Sequence, residues 1–182
     1  LRILRRRRPK LVLGMGGYVA FPLADLLGIV ALESQRNRCL VVGEDLGTVQ
    51  AELRQALDQA GVLSCRPLYF GRNDDGSFCP PDRYPARAVA SIGSHDLPTL
   101  RGFWLGRDLE LRDQIKQFAT PAERERLVLD RAADRVRLLV ALEREGLLPA
   151  GSGVDPVAIP ELTPALCNAI HTFLARTPAC IL

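Results

Sequence analysis

Apolar positions along this chain keep two different periods. Leu23, Leu26, Leu27, Val30 and Ala31 follow the i, i+3, i+4, i+7, i+8 spacing of an amphipathic helix, with Pro22 suited to its first position. Cys39–Gly43 (CLVVG) is a continuous apolar run closed by glycine, which predicts a strand buried on both faces. A second helix is predicted from Thr48 as N-cap to Gly61 as the C′ residue, carrying Leu53, Ala56, Leu57 and Ala60. Val62–Phe70 reads as a strand with a bulge or early end at Arg66-Pro67. The Gly/Pro/Asp-rich stretch 71–85 reads as a long loop, and Ala88–Ile92, closed by Gly93, as a third strand. Helical patterns resume at Leu109–Phe118. Thr120-Pro121-Ala122-Glu123 then combines a capping box with proline at N1 and leads into a helix through Leu127–Glu145. After a loop over Pro149–Pro160, Thr163-Pro164 starts a last helix with Leu166, Ile170, Phe173 and Leu174, and Ala179–Leu182 opens another strand.

Strands alternating with helices predict an α/β fold with parallel strands. About four strands are legible, and a parallel sheet needs both faces and edges covered. The chain therefore reads as part of a larger sheet.

Composition narrows the classes. The 182 residues are 47% hydrophobic and 25% charged, an ordinary globular balance. Leu23–Leu32 is broken by Asp25, so no run approaches the ~18 residues of a membrane span, and no secretory signal is expected. Residues 1–10 hold six basic side chains and no acid, so the net charge of +3 becomes −3 without them. The basicity is local, with no interleaved aromatics, and no nucleic-acid partner is expected. The five cysteines, Cys39, Cys65, Cys79, Cys167 and Cys180, are odd in number and lack CxxC spacing. They imply neither a disulfide frame nor a zinc site, and fit a cytoplasmic compartment. Cys39, Cys65 and Cys180 sit in apolar runs, where a thiol packs as a small hydrophobe.

Two motifs carry candidate chemistry. Val41–Thr48 (VVGEDLGT) places Glu44 and Asp45 directly after a buried strand, and Ile92–Thr99 (IGSHDLPT) repeats the arrangement with His95 and Asp96. Acids leaving the C-terminal ends of parallel strands occupy the rim where α/β enzymes place their sites. Two of them allow acid/base work on a glycosidic oxygen. On these residues alone, Glu44 or Asp45 serves equally well as a cap for the following helix, and His95-Asp96 as an Asx-turn before Leu97-Pro98. His171 reads as a structural histidine, Asp74-Asp75-Gly76 as a turn rather than a calcium loop, and Gly14-Met-Gly-Gly is too short for a phosphate cradle.

Together, VVGEDLGTV (41–49), SHDLPTL (94–100) with Arg101-Gly-Phe-Trp104, FLARTP (173–178), YVAFP (18–22) and DLLGIVALES (25–34) closely resemble the 4-α-glucanotransferases. These amylomaltases or disproportionating enzymes belong to the α-amylase clan, and the resemblance runs from Gly17 to Leu182. It implies the C-terminal half of a (β/α)8 TIM barrel that transfers α-1,4-glucan segments, with maltodextrin as substrate, by a retaining mechanism. No metal or organic cofactor is called for. Glu44 matches the general acid/base, which must hold a proton until the glycosidic oxygen takes it. Asp96 matches the third acid, on the 2- and 3-hydroxyls of the distorted sugar, and His95 contacts the same ring. Arg2 matches the arginine two residues before the nucleophile, and Phe70 lines the sugar subsites. The surroundings of Glu44 favour transfer over hydrolysis.

One departure is chemical. Where the family places its nucleophilic aspartate this sequence has Leu4, and RRRRPK (5–10) resembles nothing in the family. An altered reading frame between residues 4 and 16 would account for that change in composition. Residues 1–16 are therefore read as an aberrant basic segment and 17–182 as a partial catalytic barrel domain. Without the family's first half or its final Asn-Leu-Pro motif, an inactive fragment is expected, with a complementary barrel fragment as a partner. The alternative is a non-catalytic glucan-binding pseudoenzyme module.

Overall fold

The computed structural model describes residues 23–47 and 49–182, so the expectations for Arg2, Leu4, the basic segment, YVAFP, Pro22 and Thr48 lie outside the described residues. The chain divides into two units, the first containing residues up to Arg66, Pro85–Ala90 and Ala179–Leu182, the second Pro67–Tyr84 and Ser91–Pro178.

The first unit is a small α/β layer. Helix α1 (Leu23–Asn37) has Asp25 in its first turn and Arg36 in its last, each matched to the helix dipole. Its apolar stripe turns Leu27 inward. The helix ends with Arg38 in the left-handed region at φ 48°, and the Cys39 N–H donates to the Ser34 carbonyl. Strand β1 is Val42–Gly43, shorter than the predicted run. Leu40 is 47% exposed, whereas Val41 and Val42 are buried.

Helix α2 (Ala51–Gln59) starts two residues later than expected, with Gln50 at the N-cap position and no side-chain cap. Its other end follows the prediction: Gly61 takes φ 79°, and the Val62 N–H donates to the Leu57 carbonyl. The two helices pack against each other.

Strand β2 (Leu63–Pro67) runs parallel to β1 in the register Val42 to Leu63 and Gly43 to Ser64. Proline closes it, as the sequence suggested, and Leu68–Phe70 turns into a 3-10 helix. Strand β3 (Ala88–Ser91) completes the order β1-β2-β3, and Ile181 makes a parallel bridge to Val89. The expected strand at Ala179–Leu182 is only this bridge. Cys180 is consequently exposed and Cys39 and Cys65 are half-buried, not core thiols.

Helices dominate the second unit. Helix α3 (Leu100–Leu105) escaped the periodicity reading because six residues are too few to establish one. The sequence reading also missed its cap, Thr99, which accepts the Gly102 N–H at 3.1 Å. Gly106, at φ 72°, joins it to α4 (Arg107–Gln114), which begins and ends earlier than predicted. Helix α5 (Pro121–Arg144) has Thr120 accepting the Glu123 N–H, while the Glu123 carboxylate accepts the N–H of Ala119, one residue further back than in a regular capping box. Helix α6 (Pro164–Ala175) is capped by Thr163 as expected. Trp104, Leu138, Leu139, Leu142, Ile170 and Phe173 form the centre of this unit. The stretch 71–85 is more ordered than a plain loop: Arg72 and Phe78 bridge antiparallel, and Pro81–Arg83 forms a 3-10 turn. Asp74-Asp75-Gly76 is its turn, with Gly76 at φ 78°. Among the described residues no helix is long and apolar enough to cross a membrane.

Candidate active site

In the first unit, chemistry concentrates where β1 ends. Gly43 is the last residue of the strand; a Cβ there would stand 3.1 Å from Val62 Cγ1, so the close approach of β1 to its neighbour favours glycine. Glu44 follows at once and is half-buried. It lines a cavity of about 80 Å³ with Leu27, Val30, Leu53 and Leu57. That volume is well below the ~300 Å³ of a small-molecule cleft and reads as a packing gap beneath the helices.

Asp45 lines the same cavity, and its carboxylate is bonded to β2. It is 4% exposed. Arg66 Nη1 donates to both of its carboxylate oxygens at 2.9 Å, and the Cys65 backbone N–H donates to Oδ1 at 2.9 Å. Arg54 adds a longer ion pair at 3.6 Å. The turn after β1 is thereby clamped to β2, which holds the backbone of Glu44 in register with the strand end. Neither acid is the helix cap offered as the alternative, because α2 begins six residues beyond Asp45 behind Gln50. The sequence reading missed Arg66 as the partner; a charged residue inside an otherwise apolar strand was the available signal.

Cys65 feels this cluster. Burial pushes its thiol pKa up, and the carboxylates of Asp45 and Glu44 push it further, against the opposing Arg66. A raised pKa means less thiolate at neutral pH. Alkylation of Cys65 by iodoacetamide, followed by peptide mass spectrometry, is therefore expected to reach half its maximal rate above the ordinary thiol range. A midpoint at or below that range would contradict the arrangement.

In the second unit, the chain leaves β3 through Gly93, where a Cβ would meet Tyr69 Cε2 at 3.2 Å. Ser94–Leu97 forms a backbone turn closed by the Leu97 N–H to the Ser94 carbonyl. His95 and Asp96 sit at its tip, with side chains 72% and 79% exposed and His95 Nε2 3.2 Å from Asp96 Oδ2. An Asx-turn on Asp96 is excluded chemically, because the residue two positions on is Pro98, which has no N–H. Phe70 is 55% exposed, unlike the buried Leu68 and Tyr69 beside it. Trp104, part of the motif following Asp96, is core: it is 1% exposed, and its Nε1 donates to the Ile159 carbonyl at 3.1 Å. His171 is exposed, with Nδ1 2.8 Å from the Cys167 carbonyl oxygen, a local helix contact.

The model of the 4-alpha-glucanotransferase family matches residues 13–182. The 4-alpha-glucanotransferase of Haemophilus influenzae is 38% identical over 161 residues, 88% of this chain and 22% of that protein. The crystal structure of amylomaltase from Corynebacterium glutamicum superposes with a TM-score of 0.80 at 28% identity, covering 90% of this chain and 23% of that one. A shorter likeness, 56% identity over 41 residues, links 21% of the chain to 12% of a UDP-N-acetylglucosamine–N-acetylmuramyl-(pentapeptide) pyrophosphoryl-undecaprenol N-acetylglucosamine transferase from Methylococcus capsulatus. This chain thus spans about a fifth of the length of the glucanotransferases it matches. With nearly the whole of its length inside one family model, the chain belongs to the 4-alpha-glucanotransferase family.

Proposed function

We propose that residues 17–182 form the C-terminal half of a (β/α)8 barrel in which Glu44 is the general acid/base of α-1,4-glucan transfer. The observation that carries this reading is the family match over 13–182 together with Glu44 leaving the end of a buried parallel strand. In a retaining transfer, the Glu44 carboxyl gives its proton to the glycosidic oxygen as the bond to C1 breaks and a second carboxylate attaches to C1. Glu44 then takes the proton of an incoming sugar 4-hydroxyl as that oxygen displaces the carboxylate. Asp96 accepts hydrogen bonds from the 2- and 3-hydroxyls of the distorted ring, His95 touches the same ring, and the exposed face of Phe70 gives sugars an apolar platform. Arg2 stands two positions before the nucleophile's place.

Leu4 at that place has no carboxylate, so the covalent step lacks its acceptor in this sequence. Removing one member of such a unit removes most of the rate. The 182-residue chain is therefore expected to leave maltotriose unchanged, with neither glucose nor longer maltodextrins formed; appreciable transfer overturns this. The same observation favours a binding-only reading. Calorimetry with maltoheptaose tests it: saturable binding that weakens tenfold or more in Asp96→Asn supports a glucan-binding module, in line with ~1.5–3 kcal/mol for a charged hydrogen bond. Absence of binding leaves an inert chain and rejects that reading.

A further inference from the structure

A cavity in the second unit is lined by none of the acid-bearing turns. It measures about 470 Å³, within the range of small-molecule clefts, between the 73–83 segment and the face of α5 that carries Val136, Arg137, Val140 and Arg144. Its apolar side includes Phe78 and Phe173, both buried.

The walls are fixed by a network around Asp134. Arg72 pairs with Asp134 at 3.1 Å and donates to the carbonyls of Tyr69 and Gly76, and its guanidinium lies 3.5 Å over the Phe78 ring. Arg137 pairs with the same carboxylate at 3.0 Å. Gly76 lays its backbone against Arg137, close enough that a Cβ would stand 3.4 Å from the guanidinium carbon.

One carboxylate thus serves two guanidiniums. Glu145 is taken by Arg176, and Asp75 by the N–H and hydroxyl of Ser77. Arg83 and Arg144 also line the cleft, and after the Ser77 hydrogen bonds the Arg144 guanidinium helps hold the Asp75 carboxyl below its usual range. The lining itself carries three guanidiniums, Arg83, Arg137 and Arg144, against two carboxylates, Asp75 and Glu145, an excess of one positive charge. Guanidinium forks match phosphate oxygens in geometry as well as charge.

We propose that this cleft is a binding site for a small phosphomonoester, its phosphate held by Arg83 and Arg144 with Arg137 fixed behind them.

The test uses the full chain and titration calorimetry at low salt with inorganic phosphate, glucose 6-phosphate and glucose. One-to-one saturable binding of glucose 6-phosphate is expected, with inorganic phosphate weaker and glucose silent. Equal binding of inorganic phosphate and glucose 6-phosphate would reduce the site to a free-phosphate site and overturn the phosphomonoester assignment. The double variant Arg83→Gln/Arg144→Gln should weaken binding tenfold or more while circular dichroism stays unchanged, since both side chains are exposed. Arg126→Gln, an exposed arginine outside the cleft, should leave it unaltered. No saturable binding, undiminished binding in the double variant, or an equal loss in Arg126→Gln would overturn the proposal.

Discussion

Asp45→Ala is expected to lower the unfolding free energy of the chain by about 3 kcal/mol in urea titrations monitored by circular dichroism. Asp45 is 4% exposed, and its carboxylate accepts from Arg66 and from the Cys65 backbone N–H. Truncation leaves that N–H without its acceptor and a guanidinium without its counter-charge, the situation that costs ~3–5 kcal/mol for buried pairs. The lower end applies because the Arg66 side chain is 30% exposed and water recovers part of its solvation. Asp45→Asn keeps an acceptor for the Cys65 N–H and should cost about half as much. Arg66→Met should be nearly as damaging as Asp45→Ala, since it leaves the buried carboxylate with the Cys65 N–H and a single, longer charge partner, Arg54 at 3.6 Å. A loss below about 1 kcal/mol for Asp45→Ala would mean the pair is effectively solvated.

The second large effect is expected at Trp104. Trp104→Ala should destabilise the chain by about 3–5 kcal/mol, the usual cost of deleting a large buried ring. The indole is 1% exposed, its Nε1 satisfies the Ile159 carbonyl, and Arg135 stacks 4.5 Å above the ring. Arg135 also donates to the carbonyls of Pro156 and Ile159 at 2.7 Å, so the indole and guanidinium together hold segment 156–159. Trp104→Phe restores most of the ring volume but not the hydrogen bond, and should recover roughly half of the loss. The same variants separate packing from sugar contact: if Trp104 is core, Trp104→Phe changes stability without changing any maltoheptaose affinity. An affinity change with stability intact would make it a sugar-binding residue instead.

Much of this chain could be read locally. Thr120 and Thr163 each cap the helix that follows because a hydroxyl needs only the N–H three residues on. Pro67 ends β2 because it cannot donate to a ladder, and Gly61 ends α2 because the left-handed backbone there suits glycine. The motifs around Glu44 and Asp96, together with FLARTP, YVAFP and DLLGIVALES, showed the resemblance to the family, since they are contiguous strings. Strand lengths were less legible: Cys39–Gly43 is uniformly apolar, yet only Val42–Gly43 pairs. Pairing depends on where the partner strand lies, and hydrophobicity alone does not encode that.

The amino-acid order by itself determined the longer helices, the caps at Thr120 and Thr163, the α/β class and the acids set at strand ends, all of which depend on neighbours within a turn or two. Tertiary structure decided which of those acids is structural and which aromatic is core. Asp45 meets Arg66 across 21 residues and Trp104 meets Ile159 across 55. At such separations a side chain's role is set by what the folded backbone brings beside it and how much water is left there.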